Sequence, residues 1–90
     1  MLFMAVFQYD PSDREEVIDR RLAFDKEKAG VNVIGEWFDL SGHRVFCLIE
    51  AEDEVHLASA VFPWSGIGYV EIVPVMEMDK AIKLYKKLSK

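Results

Sequence analysis

Four short apolar runs alternate with three segments of helical periodicity along the chain. The runs are rich in aromatic and β-branched residues and are bounded by Gly, Pro, Asp or Ser, which is typical of strands. The other segments repeat apolar residues every three to four positions, as amphipathic helices do. The strands are predicted at residues 2–9, 31–40, 44–51 and 69–75. The helices are predicted at residues 12–29, 53–62 and 77–88.

Polar and helix-breaking residues mark the ends of the first two helices. Ser12 followed by Glu15 has the spacing of a capping box, and Gly30 suits the left-handed residue that ends a helix. Asp53 has the side chain of an N-cap, and Pro63 limits continuation of the second helix. These signals predict one continuous first helix and a second helix that stops before the proline.

The element order β-α-β-β-α-β-α predicts two βαβ halves joined by a hairpin, with Ser41 and Gly42 in the turn. This is an α+β, ferredoxin-like βαββαβ fold with a C-terminal helix, in which a four-stranded antiparallel sheet carries both crossover helices on one face. We expect residues 1–90 to form a single domain of this kind. Because the strands are apolar on both faces, the tail helix or a second subunit must cover the other face.

Composition and charge narrow the functional classes. The 90 residues are 51% apolar and carry a net charge of −5 at pH 7, which repels nucleic-acid phosphates and anionic lipids. No apolar run approaches the roughly 20 residues that span a bilayer. Cys47 is the only cysteine, so an internal disulfide is excluded. We therefore expect a cytoplasmic protein without nucleic-acid or membrane partners, and the small core of so short a chain favours self-association.

The charge is unevenly distributed. Residues 80–90 contain five lysines and no acidic residue, whereas residues 1–79 contain sixteen acidic and six basic residues, a charge of −10. Lysines near a helix C-terminus interact favourably with the helix dipole and keep one side of the helix solvated. The alternative is that this basic helix docks on the acidic surface of a partner subunit.

Three stretches of the chain resemble a known family. They are the start MLFM, the strand from Arg44 to Ala51, and Val70 to Val75, which is similar to an FExxPV ending with Val in place of the usual Phe. The chain resembles, over nearly its whole length, a small uncharacterised prokaryotic family of the dimeric α/β-barrel superfamily. That superfamily includes cofactor-free quinol monooxygenases, muconolactone isomerase-like proteins, stress-responsive barrel proteins and haem-binding relatives. The resemblance implies a homodimer whose sheets face each other and implies no particular activity.

Two strand glutamates are the candidate catalytic residues, because an ionised carboxylate in an apolar strand needs a partner or an edge position. Glu50 ends the third strand, and Glu71 lies in the fourth strand on the face expected inside the barrel. With the first strand between them, a lateral separation of roughly 10 Å would let them flank a bound ligand. The alternative is a structural carboxylate bonded to Arg44, Tyr69 or a backbone amide.

Arg21 is the candidate for recognition of a ligand's polar group, because it falls on the apolar stripe of the first helix. It is interpreted either as an intrahelical partner of Asp25 or as a cation that points into a cleft between helix and sheet. The remaining candidate ligand-binding residues are apolar or aromatic strand residues, namely Trp37, Phe46, Leu48 and Tyr69.

No metal or cofactor site is predicted. His43 and His56 lie in different elements without metal-ligand spacing, and Gly66 to Gly68 is too short for a dinucleotide-binding loop. Cys47 lies in the middle of a strand and is interpreted as a small core residue rather than a nucleophile.

Two functional hypotheses remain open. The first is a homodimeric barrel that binds a small, largely apolar molecule, or acts on it as a cofactor-independent monooxygenase or isomerase, with Arg21, Trp37, Glu50 and Glu71 around one cavity. The second is a non-catalytic assembly or regulatory module that recognises another protein through Trp64 and the loop around it.

Overall fold

The computed structural model describes residues 1–89, except for the side chain of Lys26, and places four strands and four helices in them. The strands are β1 (Leu2–Gln8), β2 (Asn32–Phe38), β3 (Arg44–Glu50) and β4 (Tyr69–Pro74). The helices are α1 (Arg14–Ala23), α2 (Lys26–Ala29), α3 (Glu54–Ser65) and α4 (Met78–Leu88), and a 3₁₀ turn (Pro11–Asp13) precedes α1. No helix in this part of the chain is long and apolar enough to cross a bilayer.

The four strands form one antiparallel sheet in the order β2-β3-β1-β4. This order and the α+β succession confirm the predicted ferredoxin-like βαββαβ fold with a C-terminal helix. At the centre of the sheet, Ala5 of β1 lies opposite Cys47 of β3 and Ile72 of β4. Since side chains alternate along a strand, this register divides the sheet residues between two faces.

One face of the sheet packs against α1 and α3. Phe7 and Val17 are buried there, and the Phe7 ring lies 5.6 Å from the Tyr9 ring and 5.5 Å from the Trp64 indole, between centroids. The core of the chain therefore lies between the sheet and these helices. We call the opposite side the open face; its central residues are Met4, Val6, Trp37, Phe46, Leu48, Tyr69, Glu71 and Val73.

The prediction of one continuous first helix is wrong, because the structure has two helices, α1 and α2, in this segment. The helix α1 begins at Arg14, after the 3₁₀ turn, which Asp10 caps by accepting the Ser12 amide at 2.9 Å; α1 itself has no side-chain cap. The helix then breaks after Ala23, and the Asp25 carboxylate caps α2 by accepting the amides of residues 27 and 28. A cap residue in extended conformation cannot continue a helix, so Asp25 divides the segment in two. Gly30 ends α2 with φ of 72°, as predicted.

The second predicted helix begins as expected and continues further than expected. The Asp53 carboxylate accepts the His56 amide at 2.9 Å and so caps α3. Pro63 lies inside the helix near its end instead of stopping it at residue 62. Helical spacing in the sequence predicts an apolar stripe of Leu57, Ala58, Val61 and Phe62. The side facing the sheet differs from this stripe, because Ala60 is buried whereas Phe62 is 72% exposed.

A bulge in β2 shapes the edge of the open face. The pairing between β2 and β3 shifts between Val33 and Gly35. The Trp37 indole lies over Gly35 so closely that a Cβ at Gly35 would come 2.5 Å from its Cη2 atom. Glycine at this position therefore leaves room for the indole close to the strand.

The C-terminal helix does not cover the open face. α4 makes at most a marginal contact with the rest of the described chain, and residues 1–89 extend over 53 × 30 × 17 Å. Lys90, the last lysine of the predicted basic strip, lies outside the described residues. In a single chain the open face therefore remains exposed.

Candidate functional site

A cavity of about 100 Å³ lies between the sheet and helices α1 and α3. Its walls are formed by β1, β2, β3 and β4 on one side and by α1 and α3 on the other. Nearly all the side chains in these walls are apolar, and Arg21 and Glu36 are the exceptions. The apolar lining consists of Ala5, Phe7, Val17, Phe24, Val31, Val33, Val45, Cys47, Ile49, Ala60, Val61, Trp64 and Val70.

The two charged groups of the cavity bind each other. The Arg21 guanidinium donates to the Glu36 carboxylate, from Nε to Oε2 at 2.8 Å and from Nη2 to Oε1 at 2.7 Å. The hydrogen bond to Glu36 raises the pKa of Arg21, so that the guanidinium is always charged. The Arg21 side chain is 39% exposed and the Glu36 side chain 31%, so this end of the cavity reaches the surface.

Helical and strand periodicity bring these groups to the same place. Val17 and Arg21 share one side of α1 at a spacing of four residues, and Phe24, directly after the helix, also lines the cavity. Glu36 of β2 lies opposite Cys47 of β3 and therefore points to the same face. Arg21 does not pair with Asp25, contrary to the first interpretation, because Asp25 lies beyond the end of α1 and caps α2.

The arrangement has a simple chemical character. An apolar wall excludes water from the inner part of the cavity, and one ion pair with no net charge stands at its outer end. The guanidinium fixes the carboxylate in position through two hydrogen bonds, and a carboxylate so held can accept a hydrogen bond or a proton from a ligand. The Cys47 thiol lies in the wall beside them.

A larger depression of about 530 Å³ lies on the outer side of the helices and is less promising. Exposed charged residues such as Arg20 and Asp25 line it, and Arg20 donates to the Pro63 carbonyl oxygen at 2.6 Å across it. This surface is open to water, whereas a ligand site buries most of its ligand.

The sheet separates Arg21 from all the other predicted site residues. Those six residues share the open face, where Tyr69 and Trp37 are 83% and 54% exposed. None of the six lies in the cavity: Trp37, Phe46, Leu48, Glu50, Tyr69 and Glu71.

The two predicted catalytic glutamates are far apart. Glu50 lies opposite Leu2 of β1, whereas Glu71 lies opposite Val6. The two glutamates are offset by four residues along the strands and by two strand spacings across them, which places them about 16 Å apart. The expected separation of about 10 Å included only the spacing across the strands and not the offset along them. The Glu50 carboxylate accepts the Met1 amino group at 3.0 Å. The two glutamates therefore do not flank one small ligand.

Glu71 has none of the structural partners considered from the sequence. Within residues 1–89 its carboxylate forms no hydrogen bond or ion pair. Arg44 instead donates to the Asp39 carboxylate at 2.7 Å. The backbone amide of Ser41 and then this guanidinium lower the pKa of Asp39 to about 2. Arg44 thus stabilises the hairpin turn through Asp39 and does not pair with Glu71.

The histidines and Trp64 have structural contacts. The His56 ring shares a hydrogen bond with the Asp53 carboxylate at 2.6 Å, and the His43 ring shares one with the Ser41 hydroxyl at 3.0 Å. Residues 1–89 contain no group of three or more His, Cys, Asp or Glu residues placed to hold a metal ion. Trp64 is partly buried and packs on Phe7 at the edge of the core, so only part of this side chain reaches the surface, at the outer depression.

Sequence reasoning did not assign a role to two residues of the cavity, Glu36 and Ala60. Glu36 lies opposite Cys47 and therefore on the helix side of the sheet. The bulge between Val33 and Gly35 interrupts the alternation of side chains along β2, so counting from residues 31–33 places Glu36 on the wrong face. Ala60 lies outside the apolar stripe predicted for its helix, and its small side chain leaves space in the cavity wall. The register between β2 and β3 is the signal that would have found Glu36.

Comparison with known proteins agrees with a family of unknown function, as the sequence motifs indicated. No curated protein matches the chain. A family model, described as a domain of unknown function (DUF3303), matches residues 1–89, and the chain belongs to this family.

Proposed function

We propose that this protein binds a small, largely apolar molecule in the cavity between the sheet and helices α1 and α3. The observation that carries the proposal is the cavity itself, whose apolar wall ends at the ion pair of Arg21 and Glu36. Ligand sites in proteins are typically apolar, with a few polar groups that fix the ligand's orientation.

The volume of the cavity sets the size of the molecule. An apolar cavity of about 150 Å³ in another protein is known to take up benzene or xenon. The present cavity, at about 100 Å³, is smaller but opens at Arg21 and Glu36. It suits a single ring or a short branched chain, with any larger part extending outwards past the ion pair.

The ion pair sets the polarity of the molecule. Glu36 accepts and Arg21 donates hydrogen bonds, so a hydroxyl or carbonyl group at the outer end of the ligand finds a partner there. The pair has no net charge, which favours a neutral ligand over an anion.

Titration with benzene and phenol, followed by ¹⁵N and ¹³C NMR of the labelled protein, tests the proposal. We expect saturable shifts confined to residues of the cavity, such as Val33, Cys47 and Ala60. We expect phenol to bind more tightly than benzene in the native protein and equally in Arg21→Met. Absence of saturable shifts in the cavity with both probes would contradict the proposal.

A second candidate function is proton transfer on the bound molecule, in the manner of a cofactor-independent isomerase. The observation that favours it is the Glu36 carboxylate, which stands at the cavity wall and is held in place by Arg21. Glu36 would take a proton from one carbon of the ligand and return it to another, so no oxidant is needed. Cell extract incubated with the protein in D₂O should then yield a metabolite that gains deuterium with the native protein and not with Glu36→Gln. If no metabolite gains deuterium, the proposed proton transfer is wrong, and only the proposal of ligand binding remains.

We also propose that residues 1–90 form one domain of the dimeric α/β-barrel superfamily and that the chain is a homodimer through its open face. The support is the exposed apolar surface of that face, where Trp37, Tyr69 and Val73 are 54%, 83% and 39% exposed. Light scattering coupled to size-exclusion chromatography tests this, with a mass near 21 kDa expected for two chains of 10.4 kDa. The assembly-module alternative has weaker support, because its anchor residue Trp64 is partly buried and packs against the core.

A further inference from the structure

The C-terminal helix is amphipathic, and its apolar side has no partner within the described chain. Met78, Tyr85 and Leu88 are each between 72% and 74% exposed. They lie on one side of α4 at spacings of seven and three residues, together with Ile82. Lys83 and Lys87 occupy the opposite side, and Lys80 and Lys86 border the stripe. An apolar stripe of this kind, on a helix that makes at most a marginal contact with the rest of the described chain, requires a surface to cover it.

The shape of the chain shows that α4 does not find that surface in its own subunit. The radius of gyration is 15.2 Å, whereas a compact chain of this length has a value of about 12 Å. Only Val75 to Glu77 connect β4 to α4, and the Val75 amide is bound to the Leu2 carbonyl oxygen at 3.0 Å. So short a tethered connection holds the helix beyond the end of the sheet.

Charge complementarity favours a second copy of the same chain as the partner. Residues 80–89 contain four lysines and no acidic residue, while residues 1–79 carry a charge of −10 from sixteen acidic and six basic residues. Lys80 and Lys86 border the apolar stripe of α4, and Glu71 on the open face has no cation beside it within residues 1–89. The helix of one chain therefore matches the apolar open face of another, and the lysines that border its stripe find one acidic partner there, the unpaired Glu71.

The area available supports the same conclusion. Four strands of six or seven residues give an open face of about 19 by 23 Å, so that two such faces bury roughly 900 Å². Specific stable interfaces bury at least about 1,200 Å². The side of an eleven-residue helix adds about 160 Å² for each subunit, which brings the total to roughly 1,200 Å².

We propose that α4 is an exchanged arm, whose apolar stripe packs on the open face of a second copy of this chain. The proposal rests on the homodimer proposed above and adds the element that completes its interface. The arms make the association reciprocal, because each chain both gives a helix and receives one.

Sedimentation equilibrium of two matched variants tests the arm. Tyr85→Glu places a charge in the centre of the apolar stripe, and we expect it to weaken the dimer at least a hundredfold. Lys83→Glu places the same side chain on the opposite side of α4, and we expect a change of less than fivefold. Both positions are exposed within one chain, so circular dichroism should show the native fold in each variant.

The outcomes separate the arm from the dimer. A native dimer that Tyr85→Glu leaves unchanged would overturn the arm and retain the dimer. A native chain that stays monomeric at millimolar concentration would overturn both. Isotope-filtered NOEs between labelled and unlabelled chains give a direct readout: contacts from the Tyr85 ring to Leu48 or Trp37 across chains support the arm, and the same contacts within one chain refute it.

Discussion

Filling the cavity should stabilise the protein, because the space between the sheet and the helices is empty of side chains. Ala60 is 5% exposed and lies in the cavity wall on α3. Ala60→Leu adds three carbon atoms that point into the cavity. If each takes the volume of a water molecule in the liquid, about 30 Å³, the three need roughly 90 Å³, close to the cavity volume of about 100 Å³.

The size of the effect follows from the transfer of these carbons out of water. Three buried carbons contribute about 2.4 kcal/mol, and the loss of leucine rotamer freedom offsets about 0.5 to 1 kcal/mol of it. Leucine and alanine differ little in helix propensity. We therefore expect an increase of about 1.5 kcal/mol in the free energy of unfolding, or a rise in Tm of roughly 6 to 12 °C.

Urea and thermal denaturation at a fixed protein concentration measure this change, since dimerisation would make stability depend on concentration. Ala23→Leu, an exposed position at the end of α1, is the matched control and should change stability by less than about 0.5 kcal/mol. If Ala60→Leu instead lowers the free energy of unfolding by about 1 to 3 kcal/mol, the leucine overpacks the core. That result would refute the existence of usable space at this site.

Three further predictions concern single interactions. Glu36→Gln should reduce stability by only about 0.5 to 1 kcal/mol in urea denaturation, because its pair with Arg21 is partly exposed to water; a loss above 3 kcal/mol would show a pair far more buried than the structure has it. Stability should fall as the pH drops from about 4 to about 2, because the pKa of Asp39 is lowered from 3.8 in the unfolded chain to about 2 in the folded protein, so its contribution is complete only above pH 3.8. Urea denaturation at each pH should show a shallower decline in Asp39→Asn than in the native protein. Identical pH profiles of the two proteins would contradict this. Gly35→Ala should displace the Trp37 indole and shift its fluorescence, whereas an unchanged spectrum would mean that the close contact does not exist in solution.

The fold was predictable from the sequence because its signals are local. Apolar runs, the hairpin turn and the Asp53 cap each depend on a few neighbouring residues, and the connection order of a ferredoxin-like fold then determines the strand order. The break after Ala23 was missed because Asp25 reads both as a helical partner of Arg21 and as a cap. Only the tertiary contact between Arg21 and Glu36 decides between these interpretations.

The candidate site was less predictable, because it depends on the register between strands and on the two faces of the sheet. A cation directed at a cleft was one of the two interpretations of Arg21 that the sequence left open, and the structure places the side chain at the cavity. Its partner Glu36 was obscured by the bulge in β2, which changes the alternation along that strand. Glu50 and Glu71 were paired from strand order alone, whereas the register sets their separation along the strands.

A crystal of the protein pressurised with xenon tests the central claim most directly, because xenon enters apolar cavities and scatters strongly. We expect a xenon atom between the sheet and helices α1 and α3, within van der Waals distance of Val33, Ala60 and Trp64, and we expect its loss in Ala60→Leu. Density for xenon elsewhere in the crystal and none in this cavity would contradict the claim that the cavity is the ligand site.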